Sequence, residues 1–327
     1  MNHIHSGFDA HRAVWALWPS SLCSYRDEAV PLQKSFARFV AAVSMHTPVF
    51  VAVSEKEYER ARFIIPKHIT MYKMDCDGVY ADDLHVHFVY EEGVSKVVAG
   101  ADISGRAVSV LNSFSNYHRI NFSEKKFLSL PEFETDGKGT FVILQSDLNS
   151  YGLPLESLRK AFEEFGCVHR IMLIRDTDFP DIQVQSVTDL LRFVGPGIVV
   201  LNHVPNDEKN PFYMLLNHAF GLFSGERDSE GREYVIKTVP FGRYEGAGYA
   251  AYRDRGFKYS VAGSYLNFLI TNQSVVVPLI NPENDNQVLI EMQNGLGSLG
   301  FDVNGVDAGD LYANGLDFKK LVMPVYR

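Results

Sequence analysis

Hydrophobic and polar positions along this chain switch repeatedly between two regimes. Short apolar, β-branched runs at 12–19 (RAVWALWP), 49–53 (VFVAV), 68–74 (HITMYKM), 140–148 (TFVILQSDL), 168–174 (VHRIMLI) and 234–240 (YVIKTVP) have the length and composition of strands. Between them lie segments with helical spacing. In 28–46, Phe36, Phe39, Val40 and Val43 fall on one helical face, with Pro31 in the first turn. Residues 54–65 read as a charged amphipathic helix with Ser54 as its N-cap. Residues 154–166 form a third helical segment, opened by Pro154 and closed by Gly166, and 210–223 and 284–297 follow the same pattern.

Paired apolar runs add hairpins. One spans 85–102, with Glu91-Glu92-Gly93 near its turn, and a second spans 189–204, around Gly195-Pro196-Gly197. A third covers 264–280, where Thr271-Asn272-Gln273 is turn chemistry between LNFLI and SVVVPLI. Asn314-Gly315 then opens a loop that feeds a terminal strand. The recurring unit is strand, strand, helix, strand, seen four or five times with no Gly-Ser or Pro-rich linker between halves. This predicts one closed, pseudo-symmetric α/β domain over 1–327. A doubly wound sheet is the alternative, and it predicts more regular one-strand, one-helix alternation.

Composition narrows the function classes. The 327 residues are 46% hydrophobic and 22% charged, enough for a large core. The formal net charge of −9 disfavours nucleic acid or an anionic membrane as partner. Cys23, Cys76 and Cys167 show no paired spacing, which predicts a reducing, cytoplasmic setting. No cationic start leads into an apolar leader segment, and no run of about 18 apolar residues suggests a membrane span.

The sequence lacks G-x-G-x-x-G, Walker, G-x-S-x-G and H-E-x-x-H motifs. Four segments remain as candidates. DCDGVYADDLHVH (75–87) concentrates acids and histidines. If 83–87 is extended, Asp83, His85 and His87 share a face and are candidate metal ligands; a solvated edge strand is the simpler reading. PEFETDGKGT (131–140) reads as turn chemistry before a strand. Asp176, Asp178 and Asp181 cluster past a strand end, where α/β folds place sites, or simply form a polar loop. The fourth segment is the terminal loop and strand, 314–324.

Taken together, HRAVWALWP, YADDLHVHFV, DGKGTFVILQSDL, TDLLRFVGPGIVVL and SYLNFLITNQSVVVPLINPENDNQ resemble, in order and spacing, motifs of the agmatine deiminase and bacterial peptidylarginine deiminase superfamily, the guanidino-group-modifying enzymes. The resemblance implies a pentein fold, a five-bladed pseudo-fivefold α/β propeller, with a site in its central channel. It also implies thiol attack on a guanidinium carbon, with a histidine moving protons and carboxylates holding the guanidinium.

The reactive positions depart from that pattern. The aspartate of W-x-R-D matches Asp83, but its arginine matches Asp82 and its tryptophan Tyr80. The glutamate of E-G-G falls on Ser129, and the H-x-D pair falls on Ser186 and Thr188. The terminal H-C falls on Asp317-Phe318, and no cysteine follows Cys167. A phenyl ring forms no covalent adduct.

The expectation is therefore a degenerate relative that uses no cofactor. It would bind a small cationic guanidino or amine ligand through Asp83, Asp317, Ser129 and Asp178, with a homo-oligomer left open. Two alternatives stand beside it. One is rebuilt metal- or carboxylate-assisted C–N hydrolysis using Asp82, Asp83, His85, His87 and Asp317. The other is a non-catalytic structural or interaction partner. Relocation of the thiol to Cys23 or Cys76 is a minor variant, and Phe318 also reads as a core aromatic.

Overall fold

Apolar runs that must be covered on both faces explain how the chain divides. Thr140–Leu144 and Leu191–Gly195 are buried at every position, as strands inside an α/β layer require. The structure, a computed structural model, describes residues 2–21, 29–84, 86–100, 103–118, 121–122, 131–166, 168–204, 209–242, 259–261 and 264–327.

Five sheets repeat one connection, an antiparallel pair followed by a helix-bearing crossover to a parallel strand. Val322–Tyr326 pairs antiparallel with His11–Leu17, which leads through helix Ala29–Ser44 to the parallel strand Val49–Val53. Val86–Glu91 pairs with Val94–Ala99, and helix Gly105–His118 leads to the short parallel strand Asn121–Phe122. Phe133–Thr135 pairs with Thr140–Leu144, and the crossover to Arg170–Ile174 contains Leu155–Glu163. Leu191–Gly195 pairs with Ile198–His203, followed by helix Tyr213–Gly221 and strand Val235–Pro240. Leu269–Ile270 pairs with Ser274–Leu279, followed by helix Asp285–Gly297 and strand Asp302–Asp307. This is the pentein fold, a five-bladed pseudo-fivefold α/β propeller, and the pairing of the last strand, Val322–Tyr326, with His11–Leu17 near the start of the chain closes the ring.

Local differences from the sequence reading have physical causes. Ser54 does not cap the following helix. That helix, Tyr58–Ile64, starts after Glu57, and the Ser54 carbonyl accepts from the Glu57 N–H instead. Residues 145–150 turn helical directly after Thr140–Leu144, because Gln145, Ser146 and Asp147 leave the buried layer. Pro154 sits at the N-cap of Leu155–Glu163, outside the first turn. Helix Gly105–His118 and strand Asp302–Asp307 carry weak periodicity and are set by packing against neighbouring elements. In the hairpin, Glu92 and Gly93 adopt φ of 55° and 84°, the two left-handed positions a tight two-residue turn needs.

Between the blades lies a central cavity of about 780 Å³, lined by Val322, Val86, Phe133, Arg192 and Leu269 from the first strand of each sheet. Helices pack against the sheets in cores such as that of Phe36, Phe39 and Val40. No helix among the described residues is long and apolar enough to cross a membrane.

Candidate functional site

The cavity wall is built where strands end and loops turn inward. Glu132 and Glu134 are two residues apart at the start of Phe133–Thr135, so both carboxylates face the same way. Glu134 is buried against Arg192, whose Nη1 also donates to the carbonyls of Leu266 (3.0 Å) and Phe268 (2.7 Å). Burial pushes the Glu134 carboxyl up, and the Arg192 guanidinium works against it.

Glu132 meets Lys319. Burial works against charge on both, but each partner's opposite charge wins. The Glu132 carboxyl is held below its usual range, and the Lys319 ammonium, also facing Asp317, is held above its own. Lys319 Nζ donates to Thr188 Oγ1 at 3.1 Å. Thr188 Oγ1 donates in turn to Asn267 Oδ1 at 3.1 Å, and Asn267 Nδ2 donates to Asp189 Oδ1 at 2.8 Å. Asp189 also accepts from the Ser186 N–H at 3.2 Å, forming a capping box over the turn Val187–Asp189. Burial, with Asp317 and Glu132 nearby, pushes the Asp189 carboxyl up to about 7 despite the Asn267 hydrogen bond.

Of the residues expected from sequence, Ser186, Thr188, Asp317 and His87 line this cavity. Ser186 and Thr188 touch through their hydroxyls at 2.6 Å, and His87 stacks on Phe133 with centroids 4.8 Å apart. Asp317 caps the short helix Phe318–Leu321 by accepting from the Lys320 N–H at 3.0 Å. Asp83 lies elsewhere. Residues Asp82–Leu84 form a 3-10 turn, so 83–87 is not one extended face, and Asp83 accepts from the Tyr80 N–H at 2.7 Å. Asp178 is exposed beside Arg175, 3.6 Å away, and is not a lining residue. Ser129, His85, Cys23 and Cys167 and the side chain of Asp82 lie outside the described residues.

Phe318 belongs to a short helix, not to the terminal strand. It is fully buried and stacks on Phe39 at 4.1 Å, as a core aromatic. Cys76 is 3% exposed in a separate core with Trp15 and Phe114 and does not line the cavity.

Sequence reasoning missed Glu132, Glu134, Asp189, Arg192, Asn267 and Lys319. The i, i+2 spacing of the two glutamates before a strand was an available signal. Nothing local distinguishes Lys319 from a surface lysine. His11 was also missed. It is 1% exposed on the cavity wall, its ring nitrogens have no hydrogen-bond partner among the described residues, and burial pushes its imidazole down to about 4.

The arrangement can hold and orient a polar ligand. A charged Lys319 has no lone pair for attack, so it acts as an electrostatic group. Asp189, poised near neutrality, is the described wall residue best suited to exchange a proton.

Known proteins share this architecture. The chain is 26% identical over 305 residues to a protein of Pectobacterium atrosepticum named as an agmatine deiminase, covering 84% of this chain and 82% of that one. A similarly named Enterococcus faecalis protein is 26% identical over 317 residues, covering 88% and 86%. Among solved structures, the agmatine deiminase of Enterococcus faecalis superposes with a TM-score of 0.79 at 21% identity, covering 100% of this chain and 96% of that one. The agmatine deiminase of C. jejuni gives 0.78 at 16%, with the same coverage. The family described as Porphyromonas-type peptidyl-arginine deiminase matches residues 3–316, and this chain, with five sheets ringing one polar cavity, belongs to it.

Proposed function

We propose that this protein binds a small cationic molecule, a guanidino or amino compound, in its central cavity and does so without thiol-based deimination. The observation that carries this reading is the convergence of Glu132, Glu134, Asp189 and Asp317 on one cavity beside His11, whose ring nitrogens have no hydrogen-bond partner among the described residues. Carboxylates and the Thr188 hydroxyl already surround one ammonium there, that of Lys319, and the same acceptors suit a ligand's N–H groups. Relatives carry the name agmatine deiminase, and agmatine is a guanidino compound, which supports the ligand class. Against their chemistry stand the core position of Phe318 and the burial of Cys76 away from the wall. We further take the chain as one domain.

The experiment is calorimetric titration of the purified chain with agmatine, arginine and putrescine, alongside an ammonia-release assay. Binding of at least one compound without ammonia is expected. Ammonia release in proportion to enzyme would overturn the non-catalytic part, and release surviving both Cys23→Ala and Cys76→Ala would instead support carboxylate-assisted hydrolysis. That second reading is favoured by one feature, the Asp189 carboxyl poised at about 7.

A further inference from the structure

The first strand, His3–Ile4, pairs with Val86–Glu91, and the chain then turns back so that Asp9 reaches both preceding histidines. His5 Nδ1 lies 2.9 Å from Asp9 Oδ2, and His3 Nε2 lies 3.9 Å from the same oxygen. One donor atom from each of the three residues falls within 4.8 Å of the others. The rings are held in place. His3 stacks on Tyr90 at 5.3 Å, and His5 lies parallel to Tyr326 at 4.6 Å. The Ser6 N–H fixes the carboxylate, donating to Asp9 Oδ2 at 3.1 Å.

The far side of His5 decides what belongs between these groups. His5 Nε2 is 3.0 Å from Ser95 Oγ, and the Ser95 hydroxyl donates to the Arg327 carbonyl at 2.5 Å. A serine hydroxyl has a single proton. With that proton given to the carbonyl, Ser95 can only accept from His5, so Nε2 carries the ring hydrogen. His5 Nδ1 therefore faces the Asp9 carboxylate oxygen 2.9 Å away. His3 Nε2 brings a third ligand atom to within 3.9 Å of the same oxygen.

We propose that His3 Nε2, His5 Nδ1 and Asp9 Oδ2 form a binding site for a divalent transition-metal ion of the zinc class. Two imidazoles and one carboxylate suit zinc, nickel, cobalt or copper rather than magnesium or calcium. Four-coordinate zinc with bonds of about 2.0–2.1 Å holds its ligand atoms roughly 3.3 Å apart, so the 2.9 Å His5–Asp9 pair would open and the 3.9 Å His3–Asp9 pair would close on binding. Ser95 orients His5 from behind, as outer hydrogen-bond partners do for metal-bound imidazoles. The ion ties the turn at 3–9 to the hairpin that carries Ser95 and Tyr90. One of its ligands, His5, also lines the central cavity.

The test uses the full chain, stripped with chelator and titrated with zinc chloride by calorimetry, with metal content read by mass spectrometry. One equivalent is expected, with a dissociation constant at or below micromolar and a raised melting temperature. Cobalt(II) should give the intense visible bands of a low-coordinate site. His3→Ala and Asp9→Asn should each weaken zinc binding at least tenfold while circular dichroism stays unchanged, and the control His46→Ala should not. Failure to bind a stoichiometric ion would overturn the site, and so would unaltered affinity in both His3→Ala and Asp9→Asn. If His3→Ala perturbs the fold, His3→Gln serves in its place under the same criterion.

Discussion

Lys319 Nζ and Thr188 Oγ1, separated by 131 residues in sequence, lie 3.1 Å apart on the cavity wall, and the same ammonium is paired with the Glu132 carboxylate. The protein thus places its own cation among the groups that a cationic ligand would use. Removing that cation should expose the carboxylate. Lys319→Met should raise affinity for agmatine or putrescine about tenfold, roughly 1.4 kcal/mol. Parallel titrations of wild type and variant read this directly, and unchanged or weaker binding would place the ligand away from Glu132.

Arg192 is held differently. It is 6% exposed, lies against Glu134 and closes two backbone carbonyls of the segment 266–268. Arg192→Met leaves Glu134 buried without its counter-ion and two carbonyls without donors. Loss of one partner of such a pair costs about 3–5 kcal/mol. Urea unfolding should show that loss as a lowered midpoint with an unchanged slope.

Asp189 should make stability fall with rising pH. Its carboxyl sits at about 7 in the folded protein, above the ordinary value of 3.8. Between those two values the folded state holds a proton that the unfolded state has released. Stabilisation from this group is therefore full below about pH 4 and lost as pH rises through 7, at about 1.4 kcal/mol per unit of separation. Asp189→Asn should flatten that part of the profile. It should also lower stability by about 1–3 kcal/mol, because its amide would face two N–H donors. Urea midpoints measured from pH 4 to 8 would show both effects.

Phe318 offers a direct test of whether the thiol can be put back. Its ring stacks on Phe39 in the core, so a cysteine at 318 would point into that packing. Phe318→Cys should cost about 2–5 kcal/mol through the cavity it leaves. The new thiol should react with a disulfide reagent only on unfolding, and ammonia release from agmatine should stay at background. A fast-reacting native thiol would show instead that position 318 reaches the cavity.

His11 carries an imidazole buried on the wall without a hydrogen-bond partner among the described residues. Unpaired buried polar groups cost about 1–3 kcal/mol, so His11→Leu should raise the melting temperature. If the imidazole serves the ligand, the same change should weaken agmatine or putrescine binding. A stabilised variant with unaltered affinity would assign His11 to the wall alone.

Much of the architecture was legible beforehand because it is written in local periodicity. Apolar runs bounded by turn residues marked the strands, and Glu92-Gly93 and Gly195-Pro196-Gly197 marked two of the hairpin turns. Helix Gly105–His118 and strand Asp302–Asp307 were not legible, since their patterns mix polar and small residues, and neighbouring elements decide their state. Asp83 illustrates the same limit at the site. Its neighbourhood is rich in acids and histidines, yet a 3-10 turn directs it to its own backbone.

The sequence by itself determined the repeated strand–strand–helix–strand unit, seen four or five times, and the family motifs, because hydrophobic period and turn chemistry act over a few residues. Tertiary structure alone decided the composition of the cavity. Glu132 and Lys319 are 187 positions apart, and Arg192 reaches carbonyls 74 and 76 positions away. Whether a charge faces solvent, a core or an opposite charge depends on which blade closes against which. That closure settled Lys319 beside Glu132 and Phe318 against Phe39, two adjacent residues with opposite fates.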